Sequence, residues 1–223
     1  MTERVVVIGA SGFGRECLDV LEAMVAAGSD LQVLGVIDDA VSDTNRERLV
    51  AREVPFIGTR ADWLATEPDP VSYVMGIGSP AVRRRLVGEL DAVGLLPFTA
   101  VHPSATFGAG TTLADGAVVC AGAVISNNVR LGAHVHVNPN ATIGHDADLR
   151  EFVSINPAAV ISGEVVVGAE TLIGAAATVL QNLTVGERVV VGAGSVVTKN
   201  VPSDVVVKGV PGRWKESASA EGR

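Results

Sequence analysis

Residues 137–155 read Val137-Asn-Pro-Asn-Ala-Thr-Ile143-Gly-His-Asp-Ala-Asp-Leu149-Arg-Glu-Phe-Val-Ser-Ile155, with a large apolar residue at every sixth position. The spacing holds in both directions, back through Leu131, Ile125, Val119, Leu113 and Phe107 to Val101, and on through Ile161, Val167, Ile173, Val179, Val185 and Val191 to Val197. Seventeen consecutive hexads therefore start in phase. The fifth position is mostly small or β-branched, as at Ala117, Ala123, Val129, Val135 and Ala141, and the second is often glycine, as at Gly108, Gly132, Gly144 and Gly168. A helical period of 3.6 does not fit such a run, and an alternating open sheet does not hold a six-residue register. The repeat predicts a parallel β-helix over 101–202. Each hexad supplies a short strand and a corner, its first residue packs inward on its equivalents above and below, and glycine serves corners and close backbone approach. A β-sandwich with regular turns is the alternative.

Upstream of the repeat the pattern changes. Residues 4–10 form a continuous apolar strand, Gly9-Ala-Ser-Gly12-Phe-Gly14 follows, and 15–27 carries a helical pattern. Residues 32–37 give a second strand ending in Asp38-Asp39, 71–77 a third leading into Gly78, and 81–93 a basic helix. Strand–helix–strand alternation predicts a small Rossmann-like α/β domain over 1–100, with 203–223 as a tail whose end, after Trp214, reads as disordered. The glycine loop lies where a strand ends and a helix starts, the place where a phosphate meets free backbone N–H groups. Its spacing is G-x-x-G-x-G, not the G-x-G-x-x-G of dinucleotide binders, and a plain tight turn is the competing reading. Asp38 falls where a ribose-binding acid would fall; two solvated carboxylates are the alternative there.

Composition narrows the function classes. The chain has 223 residues, is 48% hydrophobic and 19% charged, and so can bury a core. Its net charge of −8 argues against a nucleic-acid partner. No apolar run reaches the roughly 18–20 residues that span a bilayer, so no membrane association is expected. The chain opens directly on an apolar strand without a signal-peptide pattern, and a cytoplasmic location is the expectation. Cys17 and Cys120 make neither a disulfide framework nor a zinc cluster, and nothing basic stands beside Cys120 to activate it as a nucleophile. Of the four histidines, His102 precedes Pro103 at the domain junction, and His134 and His136 flank the inward Val135, so both point outward on one face as surface residues of a subunit contact. His145 takes an outward third position; from composition alone a bland surface role and a catalytic one both stand.

Hexads of the form large apolar-Gly-x-x-small-x resemble those of the hexapeptide-repeat acyltransferases. That resemblance implies a left-handed β-helix with coils of about 18 residues, and homotrimers with active sites between neighbouring prisms. The order of parts, GASGFG, a strand ending in Asp38-Asp39, Gly78, Arg83 and then the β-helix, resembles the bacterial nucleotide-amino-sugar acetyltransferases of the bacillosamine and perosamine type and their sialic acid O-acetyltransferase relatives. It implies acetyl-CoA as cosubstrate, no metal, and a nucleotide-linked 4-amino-sugar acceptor whose amine attacks the thioester directly. The family places its catalytic base in an I-x-H-[DE] hexad after V-N-x-x-A, which here is His145 with Asp146 beside it and Asn138 as the matching active-site asparagine. By the same matching, Ser11, Gly12, Phe13, Asp38, Asp39 and Gly78 contact the nucleotide sugar. Ser154 stands where the family has a second histidine near the thioester, and Gly163, Ala175 and Ala193 line the coenzyme A groove. Lys208 and Arg213 are phosphate partners or solvated tail charges. Phe13 and Gly144 depart from the family, which often carries His and an acid there. Other readings are O-acetylation of a sugar, transfer of another acyl group, a dinucleotide-dependent enzyme, and a carbonic-anhydrase-like zinc protein using His134, His136 and His145.

Overall fold

The computed structural model describes residues 2–66 and 71–215. The first half runs β1 Glu3–Ile8, α1 Gly12–Ala26, β2 Leu31–Ile37, α2 Asp43–Ala51, β3 Phe56–Gly58, α3 Arg60–Leu64, β4 Ser72–Met75, α4 Pro80–Asp91 and β5 Leu96–Pro97. The strands form one parallel sheet in the order β3-β2-β1-β4-β5. The winding reverses between β1 and β4, and in sheets of this class ligands sit in the crevice outside the carboxyl ends at that point. Val5, Val6, Val7 and Ile8 are all buried, as a strand covered on both faces requires. α1 turns Cys17, Leu18, Val20 and Leu21 inward. Gly14 permits its approach to β1, because a Cβ there would lie 1.8 Å from the Gly9 carbonyl oxygen.

From Ala100 the chain winds into a left-handed β-helix whose three parallel sheets hold seven, six and five two-residue strands. The first sheet includes His136–Val137 and Ser154–Ile155, the second Thr142–Ile143 and Val160–Ile161, the third Arg130–Leu131 and Asp148–Leu149. Rungs pair 18 residues apart, His136 with Ser154 and Thr142 with Val160. Ile143, Leu149, Ile155 and Ile161 point inward and are fully buried, and Ala141, Ala147 and Val153 fill the spaces beside them. Each such large side chain contributes about 1.5–3 kcal/mol of hydrophobic free energy.

The corners correct one detail of the expected repeat. The left-handed backbone falls on the fourth position, at Asn128 (φ 58°), Asp146 (φ 59°) and Glu164 (φ 59°), and not on the second-position glycines. Those glycines answer to stacking: a Cβ on Gly144 would lie 2.5 Å from the Gly163 nitrogen in the next coil. The β-helix also continues into the segment expected as tail, where Val206–Val207 pairs with Val190–Val191 and Lys208 bridges Arg213. Trp214 packs on the core end, and residues 216–223, which hold most of the segment expected to be disordered, lie outside the described residues.

The two halves dock through the first sheet of the β-helix. Cys17 of α1 shares a core with Val118 and Cys120. Phe13 stacks on His136 at 4.4 Å, and His134 lies between Tyr73 and Phe152 at 6.2 and 5.2 Å. His134 and His136 therefore leave the β-helix in the expected direction but are 4% and 1% exposed, because the α/β half covers that face. They are not the surface residues the repeat implied. Among the described residues, no helix is long and apolar enough to cross a membrane.

Candidate functional site

One candidate site lies at the reversal point of the sheet, a cleft of ≈ 120 Å³ lined by Gly9, Asp38, Asp39, Arg60, Ile77 and Arg85. Asp38 fixes its floor: Oδ2 accepts from the Ala10 N–H and Oδ1 from the Ala40 N–H, both at 2.7 Å. Asp39 accepts from the Arg60 N–H at 2.8 Å and from Arg60 Nε at 2.7 Å. Burial opposes its charge, yet these bonds outweigh burial and hold the Asp39 carboxyl below its usual value. Ser11 precedes α1 but makes no side-chain capping bond, so the helix start keeps donors for a ligand. A Cβ on Gly12 or Gly78 would meet nothing within 4 Å, so both backbones face open space. Phe13 departs from the cleft group, since its ring turns to the β-helix and stacks on His136.

The other candidate site is the corner between the second and third sheets. His145 Nδ1 and Asp146 Oδ2 are 2.7 Å apart, and Asp146 Oδ1 accepts from Asn128 Nδ2 at 3.0 Å. The hydrogen bonds from His145 and then Asn128 hold the Asp146 carboxyl below its usual value. An ionised carboxylate only accepts, so in the neutral imidazole Nδ1 carries the proton and the Nε2 lone pair is free. The ring is half exposed and lies across Gly163, where a Cβ would fall 2.5 Å from Nε2. Gly163→Ala is therefore expected to displace the imidazole and lower kcat about tenfold or more, with thermal stability close to native; steady-state kinetics beside a melting curve reads both.

Asn138 is at a different corner, between the first and second sheets. It is 6% exposed and donates from Nδ2 to the Ile155 carbonyl at 3.0 Å and to Asn156 Oδ1 at 3.3 Å. Ala175 and Ala193 continue up that same corner, whereas Gly163 belongs to the His145 corner. Within one chain the expected catalytic and coenzyme A residues thus divide between two edges of the β-helix. Ser154 is at neither edge. The residue is 2% exposed, its hydroxyl accepts from Arg83 Nη2 at 3.0 Å, and it sits under the α/β half.

The alternatives fare differently. His134 and His136 are sealed under the α/β half, away from the exposed His145, so the chain assembles no three-histidine zinc site from them. His145, Asp146 and Glu164 bring donor atoms within 4.8 Å of one another, an exposed grouping that proximity alone leaves unassigned. Burial pushes the Cys120 thiol up to about 12 and Cys17 higher than usual, so neither thiol is a nucleophile at neutral pH. A larger cavity, ≈ 530 Å³, opens at the C-terminal end of the β-helix between Val206, Lys208, Arg213 and Trp214.

Comparison with known proteins fits these two parts. Residues 4–90 match the PglD N-terminal domain, and 164–199 match the hexapeptide repeat of succinyl-transferase. The acetyltransferase domain of PglB from Neisseria gonorrhoeae superposes with a TM-score of 0.80 at 30% identity, covering 96% of this chain and 100% of that one. The chain belongs to the hexapeptide-repeat sugar N-acetyltransferases of the bacillosamine and perosamine type. Another similar structure is a histidine-to-asparagine variant of perosamine N-acetyltransferase from Caulobacter crescentus in complex with CoA and GDP-perosamine, with a TM-score of 0.83, 27% identity and coverage of 97% and 99%. WeeI from Acinetobacter baumannii gives 0.85 at 26% identity, covering 96% and 100%. No curated protein matches this chain significantly in sequence. Sequence reasoning gave this sugar N-acetyltransferase no role for Arg83, whose burial between the halves only the folded chain displays.

Proposed function

We propose that the chain transfers the acetyl group of acetyl-CoA to the amine of a nucleotide-linked 4-amino-sugar, with His145 as general base. The observation that carries this is the His145–Asp146 pair, 2.7 Å apart, with a free Nε2 on an open corner. The amine nitrogen attacks the thioester carbonyl carbon and gives its proton to Nε2. The C–S bond then breaks, and the leaving thiolate takes the proton back from the imidazolium, so the imidazole ends neutral. Asp146 holds the tautomer and stabilises the imidazolium.

The acceptor's diphosphate meets the open start of α1 at Ser11 and Gly12, with Gly78 across the cleft and Asp38 and Asp39 toward ribose and base. A nucleotide-linked amino sugar as acceptor is supported by the similar Caulobacter enzyme, which is in complex with CoA and GDP-perosamine. Coenzyme A follows a groove of small residues, Ala175 and Ala193 on one edge and Gly163 on the other. Its phosphates reach Lys208 and Arg213 in the C-terminal cavity. Because these edges are separate corners of one β-helix, the complete site forms where the edge of one copy meets the edge of the next, which a homotrimer provides; Asn138 of the second copy then faces the sugar amine.

The test is thiol release from acetyl-CoA with a panel of UDP-, dTDP- and GDP-linked 4-amino-sugars. The expected result is CoA formation with one nucleotide class and none with the matching deaminated sugar. Turnover only with sugar hydroxyls, or with none of the panel, contradicts the proposal.

A further inference from the structure

Arg83, on α4, is completely buried, and among the described residues its hydrogen-bond partners are carbonyls and one hydroxyl. Nη1 donates to the carbonyls of Ile77 at 2.9 Å and Gly78 at 3.4 Å. Nη2 donates to the carbonyls of Phe152 at 2.7 Å and Val153 at 3.3 Å, and to Ser154 Oγ at 3.0 Å. Ser154 Oγ in turn donates to the Gly78 carbonyl at 3.4 Å. Nε has no partner. Burial lowers the pKa to about 9, so the group is still a cation at neutral pH. A buried charge without a counter-ion is costly, and an apolar side chain of similar volume often seals such a space at lower cost. What the guanidinium adds is direction, because its planar fork fixes two sets of acceptors at set angles.

One set borders the cleft of the α/β half, and the other lies in the β-helix a few residues beyond His145. Ile77 lines the cleft proposed for the nucleotide, and Gly78 follows it in the chain. Residues 152–154 follow His145 along the β-helix, Ser154 lying nine residues after it and in the first sheet. We propose that Arg83 is a positioning residue for acetyl transfer, setting the register between the nucleotide cleft and the coil of His145 so that a sugar anchored in one half reaches the base on the other. This rests on the function proposed above. It requires that the α/β half and the β-helix hold substrate and base separately, and that small slips between them remove the near-attack geometry without removing either binding site. Ser154 thereby has its place as an acceptor for Arg83 and a tie to Gly78.

The test uses full-length Arg83→Met and Ser154→Ala beside the native protein. For Arg83→Met, kcat with the nucleotide-linked amino sugar is expected to fall about tenfold or more, while KM for acetyl-CoA and the calorimetric Kd of the free nucleoside diphosphate stay within about twofold. Ser154→Ala is expected to show a smaller fall in kcat with the same split. Native kcat in Arg83→Met overturns the proposal, as does a loss shared equally by kcat, nucleotide affinity and acetyl-CoA affinity, which marks a merely structural role. Should Arg83→Met fail to fold, Ser154→Ala decides: native kcat there overturns the proposal. A native protein that releases no CoA with any nucleotide-linked amino sugar instead overturns the functional reading, a result distinct from altered kcat in the variants alone.

Discussion

The His145→Ala protein is expected to turn over at least about a hundredfold more slowly than the native one, because it loses the acceptor of the amine proton. The side chain is half exposed, and its polar bond is to the neighbouring Asp146, so the fold should not suffer. Affinity for acetyl-CoA should also hold, since backbone groups and the C-terminal cavity carry that contact in the proposed site. The loss therefore belongs in kcat, and added imidazole should restore part of it. Asp146→Asn is the informative companion. An amide can donate to Nδ1 and so favour the wrong tautomer, leaving Nε2 protonated, and kcat should again fall with KM little changed. Native turnover in His145→Ala removes the base assignment and leaves the fold untouched.

The second large effect concerns pH. Burial lowers the pKa of His134 to about 4, with Asp91 and Asp115 opposing the shift and Arg83 adding to it. Burial, then Arg83 and His134, pushes His136 well below its usual value. Among the described residues, no ring nitrogen of His136 has a hydrogen-bond partner, and neither has Nδ1 of His134. Both imidazoles are therefore neutral in the folded protein, while in the unfolded chain they take up protons near pH 6.5. The unfolded state binds more protons between those limits, so stability is fully present above about pH 6.5 and is lost as pH falls toward 4. Each histidine contributes a slope of about 1.4 kcal/mol per pH unit in that window. Urea midpoints should fall steeply from pH 7 to pH 5, and His134→Asn, which suits the left-handed backbone at that position (φ 55°), should lessen the slope. A midpoint flat across that range contradicts the sealed, neutral state of these rings.

The β-helix was legible in the sequence because its period is local: six residues set which side chains point inward, and Ile143, Leu149 and Ile155 obey. His145 and Asp146 were legible because one motif places them side by side. The first half was only partly so. β1, α1, β2, β4 and α4 announce themselves by apolar runs or amphipathic faces, but α2 buries Leu49 alone, β3 has three residues and β5 two. Such elements exist because the sheet accepts them, and no periodicity precedes them. The docking was hidden for a related reason. The repeat tells inside from outside, but not which outer face another body covers. His134, His136 and Arg83 acquire their burial through contacts such as Arg83 to Phe152, 69 residues apart in the chain. Val118 and Phe152 at outward positions gave no separate signal, because exposed outward positions such as Val124, Val160 and Val190 are apolar too.

The most direct measurement is a structure of the assembled protein with coenzyme A and a nucleotide-linked amino sugar bound. The nucleotide is expected beside Gly12 and Gly78, with His145 Nε2 within about 3.2 Å of the sugar amine at a seam between two copies, next to the CoA sulfur. A nucleotide elsewhere, or a His145 ring facing bulk solvent remote from both ligands, would contradict the account.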